Sequence, residues 1–256
     1  MRFDSIGLFW EDAAKIKPPK KEKIVRVKPE PTWLLPDYLP HLDKALALTI
    51  DPFTTASLTE AAAYRNPVVF DVESYPNYWM CSFKCIKTGK VAIFERSKEF
   101  GMDFDGRALA WMLKNLRIVS FNGNGYDLPI CVMACSGMDE ERLQFATARI
   151  IVMRHQPWMV MRDMKVKQFY DIDHIDLFGL TALKPSLKKI AGRLHSPIMQ
   201  DLPFVPGTAL SYEQMLITRW YNIEADLRNT ILLWHDCQED IEYRVDLGEH
   251  YGLDLR

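Results

Sequence analysis

The chain has 256 residues, 48% of them hydrophobic and 26% charged, which suits one folded domain with an extension and excludes collagen, coiled coil or a wholly disordered chain. Its 32 basic and 34 acidic residues leave a net charge of −2, unlike the strongly basic balance of a nucleic-acid coat protein but compatible with an acidic metal site beside basic patches. Apolar runs are far shorter than the roughly 20 residues of a membrane span, and Met1-Arg2-Phe3-Asp4 leads into none, so the expected setting is cytoplasmic (host cytoplasm for a viral chain) with no membrane partner.

Residues 1–66 read as a proline-rich, basic N-terminal arm. Lys15, Lys17, Lys20, Lys21, Lys23, Arg26 and Lys28 face the single acid Glu22, and Pro18, Pro19, Pro29, Pro31, Pro36 and Pro40 favour extended backbone. Two apolar clusters flank the basic run, Ile6 to Trp10 and Trp33 to Leu39. Either the arm straps its own domain or it docks on a partner. The expectation is that Trp33–Leu39 packs on the domain, while Leu8–Trp10 docks on a DNA polymerase or on a second copy of this chain.

Residues 67–256 read as one domain. Val68-Val69-Phe70 opens a buried strand that ends in acids, and Tyr78 to Ile86 and Lys90 to Arg96 are two more strands joined at Thr88-Gly89. Short turns make these three an antiparallel meander. A helix over Asp105 to Asn115 follows, then a strand Arg117 to Phe121, a helix from Tyr126 or Asp127 and a third over Glu140 to Arg154. A strand at His174 to Leu177, a helix at Ser186 to Leu194 and helical sequence from Tyr212 to Tyr243, interrupted near Tyr221, complete the chain. This order predicts an α/β fold with a mixed sheet flanked by helices. The five cysteines read as buried thiols, because the C-x3-C pairs Cys81/Cys85 and Cys131/Cys135 lie in strand and apolar helix rather than in zinc knuckles.

Three acidic segments stand out. Asp71 and Glu73 share one face of a strand, where two like charges are costly without a cation between them. Asn122-Gly123-Asn124-Gly125-Tyr126-Asp127 links a buried strand to a helix with an acid in its first turn; Gly123 and Gly125 supply turn geometry, and Asp127 suits the helix dipole. Tyr221-Asn222-Ile223-Glu224-Ala225-Asp226 runs into an apolar stripe of Leu227, Ile231 and Trp234. In a continuous α-helix Asn222, not Tyr221, shares a face with Asp226, so Tyr221 is expected to reach Asp226 only from just outside a helix start.

In this order and context the three segments resemble the exonuclease motifs of the DEDD superfamily, the 3′–5′ exonucleases that include proofreading domains of DNA polymerases. Asp71 and Glu73 match the first motif, Asn122 to Asp127 the second, and Asp226 with Tyr221 the third. Ser186 to Ala191 resembles a helix common in these nucleases, and Ile6 to Asp12 the start of some bacteriophage DNA polymerases. Tyrosine-type members have three residues between the tyrosine and the aspartate; this chain has four.

The resemblance implies a ribonuclease-H-like fold and hydrolysis of terminal phosphodiesters of single-stranded DNA, or of a frayed 3′ end, to nucleoside 5′-monophosphates. It implies two Mg²⁺ or Mn²⁺ ions held by Asp71, Glu73, Asp127 and Asp226, with Tyr221 orienting the attacking water. Ser74, Asn122 and Tyr126 would touch the last nucleotides. Lys184, Lys188, Lys189 and Arg193 are either phosphate contacts or a solvated basic face. Proofreading in trans for a polymerase on another chain follows from the same resemblance. The alternatives are a non-catalytic ribonuclease-H-like adaptor for nucleic acid or protein, and an RNA-directed exoribonuclease.

Overall fold

The computed structural model describes residues 39–169 and 171–254; the Leu8–Trp10 cluster, the basic run and most of the Trp33–Leu39 cluster lie outside them. Between Pro40 and Pro67 the proline density falls and two short helices form, α1 (Leu42–Leu46) and α2 (Thr55–Ala63). A capping box starts α2, in which the Thr54 hydroxyl accepts from the Ser57 amide and Ser57 in turn accepts from the Thr54 amide. Ala45 and Ala61 are buried in the core, so this segment belongs to the packed domain.

Five strands make the sheet: β1 (Pro67–Tyr75), β2 (Tyr78–Cys85), β3 (Val91–Arg96), β4 (Arg117–Ser120) and β5 (His174–Asp176), in the order β3-β2-β1-β4-β5. The first three pair antiparallel, as short turns require, while β4 and β5 add in parallel on the other side. The β4 register ends where Val69 faces Val119, so β1 runs on from Phe70 with no β4 partner. That overhang, at the C-terminal ends of the parallel strands, is where an open α/β sheet leaves a crevice.

The period of two along β1 sends its side chains to two different cores. Val68, Phe70 and Val72 enter one with Trp79, Cys81 and Phe83 of β2, beneath α3 (Gly106–Asn115), α4 (Asp127–Cys135) and α5 (Glu140–Thr147). Phe70 and Phe83 lie 5.5 Å apart between ring centroids. Each such side chain contributes roughly 1.5–3 kcal/mol by leaving water. In α3 the Asp105 carboxylate caps the start, and Leu109, Met112 and Leu113 form the buried stripe. Gly106 is needed for close approach, since a Cβ there would stand 2.7 Å from the Cys135 carbonyl oxygen.

After α5 the helix widens into a π turn over Ala148–Val152, and α6 (Pro157–Asp163) follows. The long third helix expected to Arg154 therefore ends as an α-helix at Thr147. Val69, Val119 and Ile175 face the opposite core, with α7 (Leu187–Arg193), α9 (Leu227–Asp236) and α10 (Gln238–Tyr251). Tyr75, Tyr78 and Met80 meet α8 (Tyr212–Tyr221) on the same side. There Arg219 forks onto both Glu95 oxygens at 2.9 Å and the Tyr78 hydroxyl donates to Glu95, fastening α8 across the sheet.

The fold is thus α/β, a five-stranded mixed sheet flanked by helices. Among the described residues no helix is long and apolar enough to cross a membrane. All five cysteines are free, four of them buried, with Cys81 and Cys131 sulfurs 3.4 Å apart. Burial pushes both thiols up, so they stay protonated rather than acting as thiolate ligands.

Candidate metal centre

Asp71 and Glu73 project from the same face of β1 toward the helical run that begins with α8. One oxygen each from Asp71, Glu73 and Asp226 lie within 4.8 Å of one another, the arrangement a divalent cation can hold. The residues come from a strand and a helix far apart in the chain, brought together by the packing of α8 and α9 on the sheet.

Tyr221 joins them by a route that an α-helix does not offer. The run continues from α8 into α9 without a break, but residues Asn222–Asp226 form a π turn in which the Leu227 amide reaches back to the Asn222 carbonyl. An i→i+5 turn absorbs one extra residue, so side chains five apart stack on one face. The Tyr221 hydroxyl accordingly donates to Asp226 Oδ1 at 3.2 Å. The expectation that Tyr221 must lie outside a helix start is overturned: it is 2% exposed inside the helical run, and the π turn compensates for the additional residue.

Asn222, which sequence reading placed beside Asp226 without assigning it a role, is wholly buried and donates from Nδ2 to Asp71 Oδ2 at 2.6 Å. Its Oδ1 accepts from Ser82, the β2 residue opposite Asp71. The chain Ser82–Asn222–Asp71 sets the Asp71 carboxylate in place.

Asp127 is placed differently. It opens α4, is 4% exposed, and its Oδ1 accepts the Val72 amide at 3.2 Å, an amide left without a β4 partner by the overhang of β1. It is therefore close enough to oppose ionisation of Asp71, yet outside the group of three converging oxygens.

The loop that carries Asp127 is held by residues the motif does not name. Asp176, at the end of β5, accepts from the Asn122 amide at 2.7 Å and the Asn124 amide at 3.0 Å. The Ser120 hydroxyl lies 2.8 Å from His174 Nε2 and accepts the Gly123 amide. The left-handed residue is Asn122 (φ 67°), whereas Gly123 serves close packing, because a Cβ there would sit 2.0 Å from the Ser120 hydroxyl. The sequence marked Asp176 only as an acid within the strand predicted at His174 to Leu177.

Ser74 and Tyr126 are tied to α5: Ser74 Oγ donates to Gln144 at 3.1 Å, and the Tyr126 hydroxyl lies 3.2 Å from Thr147 Oγ1. Lys188, at the start of α7, pairs with Asp201 at 2.9 Å, and its charge also bears on Glu73 and Asp226. Lys184, Lys189 and Arg193 are exposed.

Burial holds all four carboxyls above the usual range, and repulsion from neighbouring acids adds to it for Asp71, Glu73 and Asp127. Burial is the larger cause for Asp71, followed by Asp127, Asp226 and Glu73; the Asn222 hydrogen bond opposes it. Glu73 is raised by burial and then by Asp226 and Asp127. Asp127 is pushed to about 8 by burial, against the amide of Val72, and Asp226 to about 7, against Lys188 and the Tyr221 hydroxyl. Burial and the adjacent carboxylates drive the Tyr221 phenol far above its ordinary value, so it remains a donor.

These shifts have a sign. A carboxyl raised in the folded state keeps a proton that the unfolded chain has released, so its stabilising effect is full at low pH and is lost as pH rises through the folded value. His174, lowered by burial to about 4, acts oppositely up to the unfolded histidine value near 6.5, which leaves about pH 6.5–8 as the clean window. Across it the metal-free protein is expected to lose about 2 kcal/mol, allowing for partial solvent access to Asp226. Denaturant melts in EDTA measure this; Mn²⁺ should remove the slope and Asp226→Asn should shrink it. A wild-type profile no steeper than that of Asp226→Asn would refute the assignment. Compared with known proteins, the chain matches no family model, no curated protein and no solved structure.

Proposed function

We propose that this chain is a metal-dependent 3′–5′ exonuclease of the DEDD type on a ribonuclease-H-like frame, acting on single-stranded DNA ends. The observation that carries the reading is the convergence of Asp71, Glu73 and Asp226 oxygens within 4.8 Å, with Tyr221 hydrogen-bonded into the same group. A mixed sheet with helices on both faces is compatible with that frame.

The donor set fits Mg²⁺ or Mn²⁺, since these hard cations take oxygen ligands and the centre offers carboxylates without sulfur or imidazole. Bound there, such ions would neutralise the scissile phosphate and lower the pKa of a water. Asp71, Glu73 and Asp226 would be the direct ligands. Asp127, with one oxygen committed to the Val72 amide, fits an outer position reached through water. Asn222 fixes the Asp71 carboxylate, and Tyr221, protonated, orients a water by hydrogen bonding rather than by taking its proton. Ser74 and Tyr126 shape the wall toward α5, and Lys188 supplies positive charge on the α7 side.

The test is incubation with 5′-labelled and 3′-labelled single-stranded DNA in Mg²⁺, Mn²⁺ or EDTA. The expected result is a shortening ladder from the 5′ label and labelled mononucleotide from the 3′ label, both stopped by EDTA. Labelled RNA in parallel separates a deoxyribonuclease from a ribonuclease. No shortening with either ion, or shortening that EDTA leaves untouched, would overturn the proposal.

A further inference from the structure

The π turn Ala148–Val152 and the α6 that follows expose an apolar surface: Ile151, Val152, Met153 and Trp158 are 46, 75, 56 and 55% exposed. Large apolar side chains clustered in water mark an interaction site. The charges along this segment are nearly all of one sign. Residues 148–167 hold Arg149, Arg154, Arg162, Lys165 and Lys167 against the single acid Asp163, in a chain that is net −2 overall. That acid is occupied, 2.7 Å from Arg149 and 3.4 Å from Arg162. The Arg162 guanidinium also lies 5.4 Å from the Trp158 ring centroid, so cation and aromatic face share one side of α6.

This surface is anchored beside the acids. Ser74, next to Glu73, is hydrogen-bonded to Gln144 of α5, and Tyr126, next to Asp127, to Thr147 at its end. The π turn begins at the following residue. The described residues contain two π turns, one carrying Asp226 and the other this surface, and such turns concentrate at functional sites.

We infer that the π turn and α6 form a stacking platform for the unpaired strand that leads to the carboxylates, with bases on Trp158 and Met153 and phosphates at Arg154, Arg162 and Lys165. The inference rests on the proposed nuclease reading. Alternating aromatic or apolar faces and cations match the base-phosphate repeat of a single strand, which binds by sequence-tolerant stacking in a basic groove. Cations spaced along the same segment as Met153 and Trp158 favour that strand over an uncharged apolar partner.

The experiment measures binding of fluorescein-labelled oligothymidylate, about 4 or about 16 nucleotides long, to the full chain in EDTA, so that hydrolysis plays no part. The longer strand should bind more tightly. Trp158→Ala should weaken it about tenfold, with Trp158→Phe retaining most of the affinity. Arg154→Ala with Arg162→Ala should flatten the salt dependence by about 1–2 in the log–log slope. Equal binding of both lengths, or unchanged binding in Trp158→Ala, would overturn the platform. So would loss of self-association, by sedimentation, in a Trp158→Ala protein that still binds the long strand. Binding that depends on Trp158 in a protein without nuclease activity would refute the catalytic reading while leaving the platform intact.

Discussion

Asp71→Ala is expected to lower the rate of terminal phosphodiester hydrolysis by roughly 10³-fold or more while leaving the protein folded. The loss follows from position: Asp71 contributes one of three oxygens converging on a cation site, and a metal ion supplies several kcal/mol of transition-state charge stabilisation. Folding should survive because the substitution removes a buried carboxyl whose ionised form is opposed by burial and by three neighbouring carboxyls. Against that gain stands Asn222, whose Nδ2 loses its acceptor, a cost of about 1–3 kcal/mol. The two effects oppose each other, so the variant should still unfold cooperatively in EDTA. The paired measurements are hydrolysis of end-labelled DNA and thermal unfolding; full activity in a folded variant would remove Asp71 from the centre.

Tyr221→Phe should lower the rate by roughly 10²-fold, the lower end of the range for positioned proton-handling groups, with little change in DNA binding. The phenol is buried and protonated, so its contribution is the hydrogen bond to Asp226 and to a water there, and phenylalanine preserves the packing. A second readout separates this from a packing effect. The Tyr221 hydroxyl holds the Asp226 carboxyl down toward about 7, and without it that group titrates higher. If activity requires ionised Asp226, the rising limb of the pH–rate profile moves to higher pH. An unchanged rate and an unchanged limb together would assign the role elsewhere.

Much of the frame was legible in local sequence because the signals that set it are local. The β-branched and apolar run at Val68–Phe70 specifies a buried strand, and the period of two alone puts Asp71 and Glu73 on one face. Asp105 and Ser186 occupy the N-cap positions of α3 and α7, close to the predicted starts. The two helices between Leu42 and Ala63 were obscured by the proline-rich sequence before them, and α6 by its lack of a strong periodic stripe. Arm contacts predicted for Leu8–Trp10 lie outside the described residues.

By itself, then, the sequence determined the order of the five strands and nominated the candidate acids, since both depend on neighbours in the chain. Tertiary structure decided their relations. A uniform 100° per residue puts Tyr221 and Asp226 on different faces, and only packing against the sheet selects the π turn that aligns them. Asn222 becomes the holder of Asp71 because β2 places Ser82 opposite it, and Asp127 turns to the Val72 amide because β4 is shorter than β1. These are contacts between segments distant in the chain. Their geometry exists only once burial of the two cores has brought the segments together, because the desolvated polar groups of each must then find partners in the other.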